Sequence, residues 1–62
     1  MDNVEITLKL RPEQAAALAQ LVKRTGWTDA REKATSDAEA YLMMDGVDAI
    51  MRALAEHGHS PR

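Results

Sequence analysis

The chain has 62 residues and no cysteine, and its eight basic and ten acidic side chains give a net charge of −2. A core built by so short a chain is marginal, and the lack of cysteine excludes disulfides and thiolate metal sites as a means of stabilising it. A partner chain is therefore the expected stabilising element. The acidic balance argues mildly against nucleic acid as that partner.

Membrane insertion is not expected. No apolar run approaches the roughly 18 residues of a membrane span. The first residues, MDNVEITLKL, lack the basic region and apolar stretch of a signal peptide. We expect a cytoplasmic protein with one small domain over residues 1–58 and a flexible tail over 59–62.

The first predicted element is a β-strand over residues 4–10, whose sequence VEITLKL alternates strictly between apolar and polar side chains. The apolar face consists of Val4, Ile6, Leu8 and Leu10, and the polar face of Glu5, Thr7 and Lys9.

A helix is predicted to begin at Pro12, because proline is favoured at the first helical position. Its predicted inner stripe is Ala15, Leu18, Leu21, Val22 and Thr25. We expect the helix to end at Gly26 in the left-handed conformation, which would let Trp27 pack back on Val22.

The sequence does not decide whether the segment TDAREKA, residues 28–34, forms a short helix or a loop. Thr28 or Asp29 can cap a helical turn there. Only Ala30 and Ala34 are available to a core.

The last predicted helix starts at a capping box, in which Ser36 and Glu39 satisfy each other's backbone amides. An apolar stripe follows at helical spacing, namely Ala40, Met43, Val47, Ile50 and Leu54, flanked by Met44 and Met51. The helix is expected to end at His57-Gly58. The stripe favours one continuous helix through Asp45-Gly46, so Gly46 predicts a close approach by a neighbouring helix or a partner chain.

The predicted fold is mainly α with one N-terminal β-strand, in the order β-α-short α-α. A lone strand leaves both edges unpaired, and a two-fold dimer is the commonest way to pair it. We therefore predict an antiparallel ribbon across a homodimer; the alternative is a strand that packs only on its own helices. The predicted dimer-interface residues are Val4, Ile6, Leu8, Leu10, Gly46, Val47 and Ile50.

The strand VEITLKL, the link LRPEQ and the helix ending KRTG resemble the ribbon-helix-helix family of small dimeric DNA-binding regulators and antitoxins, over residues 4–26. The resemblance implies that outward residues of the paired strands, Glu5, Thr7, Lys9 and Arg11, contact DNA. The chain is also similar to a group of small uncharacterised proteobacterial proteins through a stretch like residues 37–43, and that likeness implies no activity.

No residue pattern predicts an enzyme, a cofactor or a metal site. Asp45, Asp48 and Glu56 are expected on the solvated face of the last helix. His57 and His59 lie at its end without further marked ligands.

Two functions are therefore predicted as alternatives. The first is a dimeric DNA-binding protein of the regulator or antitoxin type, with duplex DNA as its partner. The second is a dimeric interaction or accessory protein with no nucleic-acid role, which binds another protein through Trp27, Met44 or Met51. In both cases the chain's first partner is a second copy of itself.

Overall fold

Three helices make up the regular structure of residues 3–59, the part of the chain that the computed structural model describes. Helix α1 spans Pro12–Arg24, α2 spans Trp27–Lys33 and α3 spans Asp37–Glu56. Both α1 and α2 pack against α3, so the longest helix is the platform of the fold.

Residues 3–11 form an irregular, exposed segment, which we call the N-terminal arm. The predicted strand over residues 4–10 is therefore wrong, and so are the β-α-short α-α order and the ribbon paired across a two-fold axis. A strand is stable only beside a hydrogen-bonded neighbour, and residues 3–59 contain no second strand. Alternating side chains alone do not create one.

Helix α1 begins at Pro12 as predicted. The missing proline N–H costs nothing at the first helical position. The N–H of Arg11 donates to Gln14 Oε1 at 3.0 Å, which ties the end of the arm to the first turn of the helix.

The turn between α1 and α2 differs from the predicted one. Gly26 has φ −111° and ψ −177°, so it is extended and not left-handed. Its N–H donates to Asp29 Oδ2 at 2.9 Å, which makes it the N-cap of α2. The Thr25 hydroxyl donates to a backbone carbonyl one turn earlier at 2.8 Å and closes α1. Trp27 therefore starts α2, and the predicted packing of Trp27 on Val22 through a left-handed glycine is wrong.

Most of the segment TDAREKA, for which the sequence allowed a short helix or a loop, is helical and belongs to α2. Ala30 is buried and Ala34 is half-buried, as expected for the two residues available to a core. Arg31 Nε lies 2.6 Å from Asp37 Oδ1 and joins the end of α2 to the start of α3. This ion pair is exposed, and such pairs contribute little stability.

Helix α3 begins at the predicted cap, where Ser36 Oγ accepts from the Glu39 N–H at 3.1 Å. Glu39 Oε1 accepts from the N–H of Thr35 at 2.9 Å, one residue earlier than the Ser36 amide that we predicted. The helix continues through Gly46 without a turn, so the prediction of one continuous helix is confirmed.

The end of α3 carries the glycine cap that we expected after α1. Gly58 has φ +85°, a conformation that glycine adopts without steric cost. Its N–H donates to the Ala55 carbonyl at 3.0 Å, and the His59 N–H donates to the Leu54 carbonyl at 2.8 Å. These two bonds form a Schellman motif, and the predicted end at His57-Gly58 is confirmed. The rest of the predicted tail, residues 60–62, lies outside the described residues.

The core is small. Its central cluster consists of Ala15, Ala19, Val22 and Leu54, with Leu18, Val47 and Met51 packed against it. Ala30 of α2 and Ala40 of α3 are also buried. Leu21 and Ile50, which we predicted to face inward, are exposed. Small side chains allow close approach of the helices, but they bury little apolar area.

Replacing Ser36 with alanine is expected to lower the free energy of unfolding by about 1 kcal/mol, because the Glu39 amide loses its acceptor. Ser36→Gly is the control, since glycine at the same position costs only a few tenths of a kcal/mol. Urea unfolding followed by circular dichroism measures both. Equal losses for the two variants would contradict the cap.

Candidate interaction surface

An open apolar groove lies between the three helices, with a volume of about 550 Å³. It is lined by Leu18, Leu21, Val22, Arg24, Thr25, Asp29, Ala30, Lys33, Met43, Val47 and Ile50. Val22 and Ala30 are buried, whereas Leu21 and Ile50 are exposed. The groove is therefore an apolar surface open to water, to which both buried and exposed side chains of the three helices contribute.

Charged side chains of both signs line the groove. They are Arg24, Asp29 and Lys33. Asp29 already accepts a hydrogen bond from the Gly26 amide. The ion pairs found among residues 3–59 involve neither Arg24 nor Lys33. The edge of the groove thus carries one net positive charge.

The N-terminal arm is a second apolar surface. Val4 is 84% and Ile6 75% exposed, and Leu8 and Leu10 are exposed as well. Val4, Ile6 and Leu8 therefore have little contact with the helices of their own chain, whereas Leu10 is only 40% exposed. This places four of the predicted dimer-interface residues in water.

The predicted DNA-contacting residues Glu5, Thr7, Lys9 and Arg11 are also exposed on the arm. Arg11 Nε lies 3.4 Å from Glu13 Oε1. Since residues 4–10 do not form a strand, the structure provides no ribbon to present these side chains on one rigid face.

The remaining predicted interface residues lie on α3. Val47 and Ile50 both line the groove, so the structure brings these two together. Gly46 does not contact a neighbouring helix: a Cβ built on it would meet nothing within 4 Å among the described residues. The prediction of a close approach by a neighbouring helix is wrong, and a close approach by a partner chain stays a prediction.

Replacing Gly46 with alanine is expected to raise the free energy of unfolding by roughly 0.5–1 kcal/mol, since the added methyl meets open space and alanine favours a helix. Gly58→Ala is the matched control and should have the opposite sign, because the left-handed conformation costs an L-residue about 1–2 kcal/mol. Urea unfolding measures both. A Gly46→Ala loss that grows with protein concentration would instead place Gly46 in an interface between chains.

An aromatic pair joins α2 to α3. The ring centroids of Trp27 and Tyr41 are 4.6 Å apart, and the rings are tilted by 42°. Both residues are exposed, at 40% and 64%. Tyr41 was not among the predicted site residues, because it lies one residue outside the apolar stripe that runs from Ala40.

The three residues predicted to bind a partner protein have different environments. Trp27 pairs with Tyr41, Met44 is half-buried, and Met51 packs against the core cluster. Met44 and Tyr41 are three residues apart on α3 and share a face. Of the predicted set, Trp27 and Met44 are therefore the better placed for a partner.

The charged residues of α3 form an ordinary solvated face. Arg52 Nη2 lies 3.2 Å from Asp48 Oδ2, an i,i+4 pair, and both side chains are exposed, as expected for the solvated face. Among residues 3–59, no three histidine or carboxylate side chains are grouped so that they could hold a metal ion. In the same part of the chain, no helix combines the length and apolar character that a bilayer crossing requires.

The fold and its surfaces define a small three-helix protein with an apolar groove and an apolar arm exposed to water. The sequence profile of DUF7706, a family of unknown function, matches residues 1–62, and the chain belongs to that family. No ribbon-helix-helix family is found by the comparison, so that resemblance is not supported. No curated protein and no solved structure gave a significant match.

Proposed function

We propose that this protein is a small interaction protein that works as a homodimer. One observation carries the proposal: its large apolar side chains are mostly outside. Within residues 3–59, four of the six buried residues are alanines. The exposed large apolar residues are Val4, Ile6, Leu8, Leu10, Leu21, Trp27, Tyr41, Leu42 and Ile50. Apolar surface of this extent is characteristic of a binding surface.

The exposed area supports the same proposal. A folded monomer of 6.9 kDa is expected to expose about 4000 Å². This chain exposes 5316 Å². The difference, roughly 1300 Å², exceeds the ~800 Å² that each partner buries in an interface of standard size. The surplus is thus large enough to supply an interface of standard size between two copies.

The aromatic pair is the surface on which the dimer would bind another protein. Neither Trp27 nor Tyr41 lines the groove, so an occupied groove leaves the pair accessible. Tryptophan and tyrosine are enriched among the residues that dominate binding energy at interfaces.

DNA binding through the arm has less support. The chain's net charge is −2, whereas nucleic-acid binders carry a basic excess whose phosphate contacts supply most of the affinity. The arm also lacks the paired strands that the DNA-binding prediction required.

Sedimentation equilibrium over a wide concentration range tests the proposal. We expect a mass twice that of the 6.9 kDa chain. A monomer at every concentration would overturn the homodimer. A mobility-shift assay with duplex DNA at low salt is the companion measurement. Retardation that disappears in the variant Lys9→Ala/Arg11→Ala would favour the DNA-binding function instead.

A further inference from the structure

We infer that the N-terminal arm of one chain binds in the groove of a second copy, and that the second copy returns the same contact. The inference rests on the proposed homodimer and names the segment and the site that form it. The arm's apolar residues and the groove are both exposed in a single chain, so each is available to the other.

The dimensions of the groove fit the middle of the arm. Its α3 wall runs from Met43 to Ile50, which are separated by about 10.5 Å along the helix axis. Alternate residues of an extended chain are about 6.6 Å apart and point to the same side. Ile6 and Leu8 therefore fit side by side over this wall. A volume of about 550 Å³ accepts two aliphatic side chains with room for parts of their neighbours.

The charged side chains of the arm allow this placement. When Ile6 and Leu8 of an extended arm point into the groove, Glu5 and Lys9 point to the opposite side of the arm and stay in water. No charge of the arm is therefore buried, and the apolar side chains hold it in the groove.

The start of α1 fixes the backbone at the point where the arm joins the helix. Arg11 has φ −67° and ψ 153°, the extended conformation that a following proline enforces. The hydrogen bond from its N–H to Gln14 fixes this geometry. Since Ile6 and Leu8 stay exposed in a single chain, the arm does not fill its own groove, and the groove of a second copy is open to it. Reciprocal exchange of an identical segment closes a two-fold dimer.

Disulfide trapping tests the inference, and the chain contains no cysteine that could compete. One variant carries Leu8→Cys and a second carries Ile50→Cys. The two are mixed at equal concentration, oxidised with a mild thiol oxidant, and separated by non-reducing electrophoresis and mass spectrometry. The control pairs Leu8→Cys with Ala49→Cys, an exposed position of α3 that does not line the groove.

We expect the Leu8–Ile50 heterodimer to dominate the cross-linked product and to exceed the control pair at least tenfold. A dominant Leu8–Leu8 product would show arm-to-arm contact and overturn the inference. Equal trapping of the test and control pairs would overturn it as well. A double variant that cross-links only within one chain would place the arm in its own groove, against the inference. In each case, sedimentation of the wild-type chain as a dimer would leave the proposed function standing.

Discussion

Replacing Ile6 and Leu8 together with aspartate is expected to convert the homodimer into a monomer without changing the helical content. Both side chains are exposed within one chain, so the substitutions remove no contact from the three-helix core. In the dimer they would lie in an apolar groove, where an unpaired carboxylate is strongly unfavourable. The loss therefore falls on association alone.

The size of the effect follows from the area buried. Burial of an isoleucine or leucine side chain contributes about 1.5–3 kcal/mol, so the two together contribute roughly 3–6 kcal/mol in each arm. A loss of 3 kcal/mol already raises the dissociation constant by more than about 100-fold. Sedimentation equilibrium measures the constant, and circular dichroism confirms that the helices are retained.

The matched control adds the same charge to the other side of the arm. Asn3→Asp with Thr7→Asp places two new carboxylates at positions that alternate with the apolar ones. We expect this variant to remain a dimer with at most a small change in affinity. Equal dissociation of both variants would show that the charge of the arm, and not its apolar face, controls association.

Elements with a local chemical cause were predictable from the sequence. The proline that starts α1, the serine that caps α3 and the glycine that ends α3 each act through neighbours within a few residues. The helical spacing from Ala40 to Leu54 was long enough to show that α3 passes through Gly46. Such features depend on the backbone of one segment, and the sequence contains all of it.

The structure of the N-terminal arm was not predictable from its residue pattern. Its alternation of apolar and polar residues is complete, yet residues 3–59 include no strand. Period-two alternation indicates that one side of a segment prefers an apolar environment. A strand in a sheet is only one structure that gives the segment such an environment. The hydrogen-bonded neighbour that a strand needs is not encoded in the segment itself.

Gly26 and Tyr41 illustrate a second limit. A glycine after a basic last turn fits either a left-handed helix end or the N-cap of a following helix, and the Asp29 carboxylate selected the second. That choice moved Trp27 into α2 and beside Tyr41. The aromatic pair depends on how α2 packs on α3, which the residue spacing within either helix does not reveal.

The division of apolar residues between core and surface links stability to assembly. Alanines fill most of the buried positions, so the helices approach closely while the larger side chains stay outside. A 62-residue chain has an expected stability of about 3–9 kcal/mol. Binding to a second copy adds to this value by an amount that grows with the logarithm of protein concentration. The apparent stability of the chain should therefore rise as it is concentrated.

Replacing Leu54 with alanine is expected to cost about 2–5 kcal/mol, because Leu54 is the one leucine in the central cluster that joins α1 to α3. This is a large part of the expected stability, and it lowers the melting temperature by roughly 8–40 °C.

Leu42→Ala is the matched control, since it removes the same atoms from the same helix where the side chain is 70% exposed, against 9% for Leu54. We expect a change within about 0.5 kcal/mol there. Thermal unfolding is measured by circular dichroism at low protein concentration, where monomers predominate. Similar losses for the two leucines would contradict a core centred on Leu54, whereas partial recovery of Leu54→Ala at high concentration would follow from stabilisation by the second chain.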